Sequence, residues 1–310
     1  ISFHEGFNTK DGHSSPQLTK LAIQSAEKSD IVVIFAGTPE FQEVENQDQK
    51  HIKLPKDEEN LIFEISKVNK NVVVVLQNGN PVEMPWIDNV KAVLETYFSG
   101  EAGGQATANI LFGLTNPSGH LSETFPLRLK DNPSFKNFPG KNSKVEYNEG
   151  IFVGYRYYDK NKINVLFPFG HGLSYTKFKY SNIRVDNSYH DDFDFFDNDE
   201  NIIVLVDIEN VGSVMGKTVA QLYVSDQNLI VDRPAKELKD FEKVELSPGE
   251  KKTIRFHLNY RSFAWWNTEI HDWFVSTVNY QIIVGQSSRD NESLILNLRI
   301  KSSAEKKIDE

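Results

Sequence analysis

The run Asn71-Val72-Val73-Val74-Val75-Leu76-Gln77 is apolar at every interior position. A strand with one wet face alternates apolar and polar residues. A short run apolar on both faces marks a parallel sheet covered on both sides. Asn78-Gly79 closes the run as a turn. Upstream, Ile31-Val32-Val33-Ile34-Phe35 repeats the pattern and leads into Gly37. Between the two runs, the spacing from Asp57 to Lys70 predicts a helix with Leu61, Ile62 and Ile65 inward. Gln17 to Asp30 fits an earlier helix, with Leu18, Leu21, Ala22 and Ala26 on one face. Downstream, Val90–Tyr97 reads as a third strand and Gln105–Phe112 as a small-residue helix. Strand and helix alternating at this spacing argue for an α/β layer with a mostly parallel sheet. Gly100, Gly103 and Gly104 precede the last helix. Their spacing matches neither glycine-rich phosphate motif, and close helix–strand packing accounts for them.

From Asn116 to Thr176 the chain is rich in loops, with Pro117, Pro126, Pro133, Pro139 and Pro168. Two aromatic and glycine clusters stand out, Gly150–Asp159 and Phe167–Tyr175. Aromatic faces can stack on sugar rings, but such clusters more often pack loops onto a core. Arg156 and Asp159 are placed to pair. His171, between two glycines, reads as a hydrogen-bonded turn residue, since no second His or Cys lies at ligand spacing. After about Tyr180 the period becomes two. Strands are expected at Asn201–Ile208, Val219–Val224, Leu238–Leu246, Thr253–Leu258, Ala264–Trp266 and Tyr280–Val284. Six short strands separated by turns, notably Ser247-Pro248-Gly249-Glu250, argue for a β-sandwich. His190–Asn201 reads as an exposed hairpin or loop, and Lys301–Glu310 as a frayed polar tail.

Composition narrows the function classes. The 310 residues suffice for about two domains, and 39% hydrophobic with 25% charged is a globular profile. A net charge of −10 disfavours nucleic acid as a partner, because phosphates need a basic patch. No apolar run approaches a membrane span. There is no cysteine, so disulfides and thiolate metal sites are excluded, and no cofactor or metal is expected. The start, Ile1-Ser2-Phe3-His4, reads like an internal sequence of a fragment or a processed chain. The sequon Asn291-Glu292-Ser293 tilts the expected location slightly toward secretion.

The stretch from Gly37 to Pro55 leaves the C-terminal end of the first strand, where open α/β sheets gather ligands and chemistry. It carries Glu40, Glu43, Glu45 and Asp48. Like charges this close raise one another's pKa, as an acid catalyst near neutral pH requires. The bland alternative is a solvated acidic loop.

Several stretches together resemble the C-terminal part of glycoside hydrolase family 3, the β-glucosidase type. Members carry a pattern like W-E-S-E-G-F-D-R-x-x-L-x-L-P. Here it stands as Gln42-Glu43-Val44-Glu45-Asn46-Gln47-Asp48-Gln49-Lys50-His51-Ile52-Lys53-Leu54-Pro55. Val74-Val-Leu-Gln-Asn-Gly-Asn-Pro-Val-Glu-Met-Pro-Trp86, Asn116-Pro-Ser-Gly-His-Leu-Ser-Glu-Thr-Phe-Pro126, Gly150–Asp159 and Phe167–Thr176 fit closely and in order. Arg233-Pro-Ala-Lys-Glu-Leu-Lys-Asp-Phe-Glu-Lys-Val244 resembles the family's fibronectin-III-like domain.

The resemblance implies an αβα sandwich over about 1–178, a fibronectin type III-like β-sandwich over 179–302, and a tail over 303–310. It implies a retaining β-glucosidase, in which two carboxyls flank the glycosidic bond roughly 5 Å apart. A (β/α)8 barrel, in cis or as a separate chain, would supply the nucleophilic Asp and most sugar contacts. This chain would supply the general acid/base, which the motif places at Glu45, with Glu43 as runner-up. Phe41, Glu43 and Asp48 would touch the glucoside or oligosaccharide. Three departures bear on this: Asn46 replaces the family Gly, Gln49 the Arg and Gln42 the Trp. Asn tolerates φ > 0 better than most residues. Losing the Arg removes a bidentate carboxylate partner. The alternative is a non-catalytic carbohydrate-binding or scaffolding module from a degenerate relative.

Overall fold

The computed structural model describes residues 1–186, 201–228 and 231–301, and the backbone of 192–195 and 302. The chain divides into two compact units. The first takes Ile1–Leu114 and Phe125–Phe135; the second takes Thr115–Thr124 and the chain from Lys136 onward.

In the first unit, Ser15 caps helix α1 (Pro16–Glu27) by accepting the Leu18 N–H at 3.2 Å, with Pro16 in the first turn, where its missing N–H costs nothing. Strand β1 (Val32–Gly37) follows. Helix α2 (Lys56–Val68) starts directly after Pro55, with Asp57, Glu58 and Glu59 at its positive end. Asn69 ends α2 and ties it to α1, its amide donating to the carbonyls of Ala26 (2.9 Å) and Ser29 (2.6 Å). Then come β2 (Val72–Gln77), β3 (Ala92–Glu95), α3 (Gly103–Leu111) and the two-residue β4 (Phe125–Pro126). Strands β1, β2 and β3 form one parallel sheet in that order, with Gly37 beside Gln77. Their carboxyl ends therefore lie at one edge.

The expected helix faces hold for α2, where Leu61, Ile62 and Ile65 are buried. They hold in part for α1: Ala22 and Ala26 are buried, but Leu21 is exposed. Strand β2 is buried almost throughout, as its apolar run implies. Strand β1 is not, because it lies at the sheet edge: Ile34 and Ala36 are buried, while Val33 and Phe35 are exposed. The glycines at the start of α3 do not mark a close helix–strand approach. Gly100 takes φ +67, a Cβ at Gly104 would meet nothing, and one at Gly103 would meet only Ser99 of its own turn.

The second unit begins with α4 (Tyr155–Lys160) and β5 (Val165–Phe167). Among the described residues ten strands and one short helix follow: β6 (Phe178–Val185), β7 (Asp192–Phe195), β8 (Ile202–Asn210), β9 (Gly216–Asp226), β10 (Glu237–Leu246), β11 (Lys251–Leu258), α5 (Tyr260–Phe263), β12 (Trp265–Asn267), β13 (Asp272–Phe274), β14 (Val278–Gly285) and β15 (Leu294–Ser302). The order β10-β9-β14-β15-β7 makes one sheet and β11-β8-β6 a second, with β12-β13 a separate hairpin. Ile202, Val204, Val206 and Ile208 from one sheet share a buried core with Leu222, Ile282 and Val284 from the other.

The expected strands are present, with boundaries moved by at most three residues. Strands β6 and β15 go beyond expectation. Lys301 and Ser302 end β15 instead of opening a tail. Of the expected hairpin or loop His190–Asn201, Asp192–Phe195 pair with β15 as a parallel strand, and most of the rest lies outside the described residues. Asp159 pairs with Arg289, whose Nε donates at 2.6 Å, and not with Arg156.

Candidate active site

The loop after β1 is built on the strand edge. Thr38 N–H donates to the Gln77 carbonyl at 3.1 Å, prolonging the β1–β2 pairing by one residue. A short helical turn, Glu40–Gln42, carries the chain away. Gln47 N–H then donates to the Val44 carbonyl at 3.2 Å and closes a four-residue turn. Glu45 and Asn46 occupy its two central positions. Asn46 takes φ +70, the conformation a glycine provides at no cost and asparagine at little.

The two glutamates of this loop differ sharply. Glu43 is half-buried and fully engaged. The Thr38 hydroxyl donates to its Oε1, and Gly79 N–H reaches both oxygens, at 3.0 and 2.8 Å. A methyl at Gly79 would lie 2.5 Å from Glu43 Oε2 and 2.7 Å from the Phe98 ring, so a side chain there would have to displace one or both. Glu45 is exposed, as are Asp48 and Phe41. Gln49, at the family's Arg position, has its Nε2 enclosed with no hydrogen-bond partner among the described residues.

The same strand edge holds two groups the sequence did not single out. Asn78 is buried, and its amide donates to the Asn80 carbonyl (2.8 Å) and to Glu95 Oε2 (3.3 Å). Glu58, in the first turn of α2, is buried and accepts Gly37 N–H at 3.0 Å. Burial pushes its carboxyl up to about 8, against the smaller opposing effect of the Gly37 hydrogen bond. Both sit in runs that read as a turn and as a wet helix face, so only tertiary contact reveals them. A groove of about 530 Å³ between α1 and α2, lined by Thr19, Ile23, Asn60 and Glu64 among others, contains none of the loop carboxylates. Among the described residues, no group of three or more His, Asp or Glu is placed to hold a metal, and no helix is long and apolar enough to cross a membrane.

Residues 9–175 match the family model of the glycosyl hydrolase family 3 C-terminal domain. The chain belongs to glycoside hydrolase family 3. Residues 218–288 match the fibronectin type III-like domain that follows in this family 3 chain. Over 304 residues it is 50% identical to the thermostable beta-glucosidase B of Acetivibrio thermocellus, covering 97% of this chain and 40% of that protein. It is 38% identical over 289 residues to an exo-alpha-(1->6)-L-arabinopyranosidase of Bifidobacterium breve, covering 93% of this chain and 37% of that one. The crystal structure of a family 3 β-glucosidase from Bifidobacterium adolescentis superposes with a TM-score of 0.91 at 36% identity, over 98% of this chain and 44% of that one. This family 3 chain thus spans well under half the length of these relatives and corresponds to their C-terminal part.

Proposed function

We propose that this chain is the C-terminal portion of a retaining β-glucosidase and that Glu45 is the general acid/base. It serves an active site completed by a (β/α)8 barrel, joined in cis or bound as a separate chain. The observation that carries the reading is the turn Val44–Gln47. Asn46 stands at the family's Gly position and keeps the left-handed backbone a Gly would give, so the departure leaves the turn's shape intact. Glu45 beside it is exposed at the carboxyl end of a parallel sheet, where a proton donor is free to meet a glycosidic oxygen. The barrel Asp attacks the anomeric carbon as Glu45 protonates the leaving oxygen; Glu45 then takes a proton from water as the glycosyl-enzyme is hydrolysed. Phe41 and Asp48, exposed on the same loop, are proposed to contact substrate. Functionally the chain divides near residue 178, between the αβα sandwich and the fibronectin-like domain, as the ends of the two family matches support.

The test is hydrolysis of an aryl β-glucoside by this chain alone, by the parent carrying a barrel, and by the parent with Glu45→Gln. The expected result is an inactive chain, an active parent, and a loss of about 10²-fold or more in kcat for the variant, partly restored by azide on an activated substrate. A parent whose kcat is indifferent to Glu45→Gln overturns the assignment. An aryl α-L-arabinopyranoside belongs in the same assay, since one relative carries that activity in its name.

A further inference from the structure

We propose that Glu43 is a positioning residue that straps the Glu45 turn to the carboxyl edge of the sheet. The inference rests on the reading of Glu45 as the acid/base. Its geometric part stands on separate observations.

Glu43 accepts from Thr38 and Gly79, which belong to two different strand ends. Thr38 follows β1 and is held by the Gln77 carbonyl. Gly79 lies two residues beyond β2, in the turn that begins with the buried Asn78. The Glu43 carboxylate therefore bridges two points that the sheet itself fixes. The turn at Val44–Gln47 starts at the next residue, so the strap sets where Glu45 begins. The far end of the loop has its own anchor, where the Ile52 carbonyl accepts Glu83 N–H at 2.7 Å. Between Pro39 and His51, however, the chain would otherwise depend on the short helical turn at Glu40–Gln42 and the turn at Val44–Gln47.

The same contacts argue against a proton-transfer role for Glu43. Both its oxygens already accept hydrogen bonds from the protein, whereas a general acid/base needs an oxygen free to meet the substrate. The side chain two residues on supplies that freedom. The glycine at position 79 fits the strap from the other side. Any Cβ there would push into Glu43 Oε2 and the Phe98 ring. Two residues 36 apart in sequence thus constrain one another. A side chain at 79 would have to displace the Glu43 carboxylate or the Phe98 ring.

The experiment has two arms, each with Glu43→Ala, Glu43→Gln and Gly79→Ala. The first measures backbone hydrogen exchange of this 310-residue chain. The expected result is exchange faster by about tenfold or more at the Gly79 and Gln47 amides in Glu43→Ala and Gly79→Ala, with the α2 amides unchanged. Glu43→Gln keeps one acceptor oxygen for Gly79 N–H and falls between. Unchanged exchange at both amides in Glu43→Ala and Gly79→Ala overturns the strap. The second arm measures kcat, KM, the pH profile and azide response of the barrel-containing parent. A displaced acid/base predicts a fall of about 10²-fold in kcat, little change in KM, both limbs of the pH profile kept, and no rescue by azide. Azide rescue of Glu43→Ala with loss of the alkaline limb would make Glu43 the acid/base and overturn the proposal. A parent silent in every form defeats the Glu45 reading, and the exchange arm then decides the strap by itself.

Discussion

In strand β8 of the second unit, Ile202, Val204, Val206 and Ile208 all turn into a core that a second sheet completes. In strand β1 of the first unit, Ile34 and Ala36 are buried while Val33 and Phe35 stay exposed. Both strands are rich in β-branched residues. The difference lies in what faces them. A sandwich brings its own opposing sheet, so each strand needs only one apolar face and that face is fully covered. The first unit is apolar on both faces of β1 and covers only one of them. Ile31, Phe112 and Leu114 of the same unit are exposed as well. The second unit exposes apolar side chains too, Leu173 and Phe241 among them, so the contrast lies in the two strands and not in the units as wholes.

That contrast is testable in the core of the sandwich, where the largest effect is expected. Phe256 on β11 is fully buried. Phe256→Ala should cost about 3–5 kcal/mol, the loss of a buried ring plus the cavity it leaves. Urea unfolding followed by tryptophan fluorescence reads this well, since Trp265, Trp266 and Trp273 lie in this unit and only Trp86 in the other. A cost below about 1 kcal/mol would mean that the sandwich repacks freely, and the contrast with the first unit would lose its physical basis.

A smaller effect, with a sign, separates the units by pH. Glu58 in the first unit has its folded pKa pushed up to about 8 from 4.5. Between those values the folded state holds a proton that the unfolded chain has released. Its stabilising contribution is therefore complete below about pH 4.5 and declines as pH rises toward 8, by a few kcal/mol at most. Asp207 in the second unit behaves oppositely. Hydrogen bonds from Asn182 and Thr253, with help from Arg184, hold its carboxyl well below the usual range. Its contribution is present at neutral pH and is lost only in acid. Glu58→Gln keeps an acceptor for Gly37 N–H and removes the titration. Unfolding by far-UV circular dichroism should show a steeper stability loss between pH 4.5 and 8 in the unsubstituted chain than in the variant, where Glu59, also raised by burial, leaves a residual slope. An identical slope in both would remove Glu58 as its source.

These outcomes bear on how much the sequence could say. The Val72–Leu76 run was legible because a central parallel strand is buried on both faces, and periodicity reads burial directly. The edge strand β1 carries the same composition with a different fate, because a sheet's edge is a property of topology. The acid-rich loop and its family pattern were legible too, down to Asn46, whose left-handed backbone follows from the residue it replaces. The distinct fates of Glu43 and Glu45 were not. Two residues apart, they differ because Gly79 and Thr38 meet one of them, and that meeting exists only in the folded chain. Glu58 was hidden for the same reason: a helix-start carboxylate reads as solvated until a strand end supplies its donor.

The smallest expected effect tests the comparison at its root. Phe35 is 52% exposed and its neighbour Ile34 is 6% exposed. Ile34→Ala removes a buried side chain and should cost about 2–5 kcal/mol. Phe35→Ser, one residue away on the same strand, should fall within about 0.5 kcal/mol, because its ring stays largely in water in the folded chain. Both are read from the same urea titration of this chain at several protein concentrations. If Phe35→Ser costs as much as Ile34→Ala, the ring is covered in solution. A concentration-dependent midpoint would then name a second copy of the chain as the cover, and an independent one would place it within the chain itself. If the two costs separate as expected, the exposed side of β1 is apolar surface that contributes nothing to this unit's own stability, which is the physical meaning of the contrast with β8.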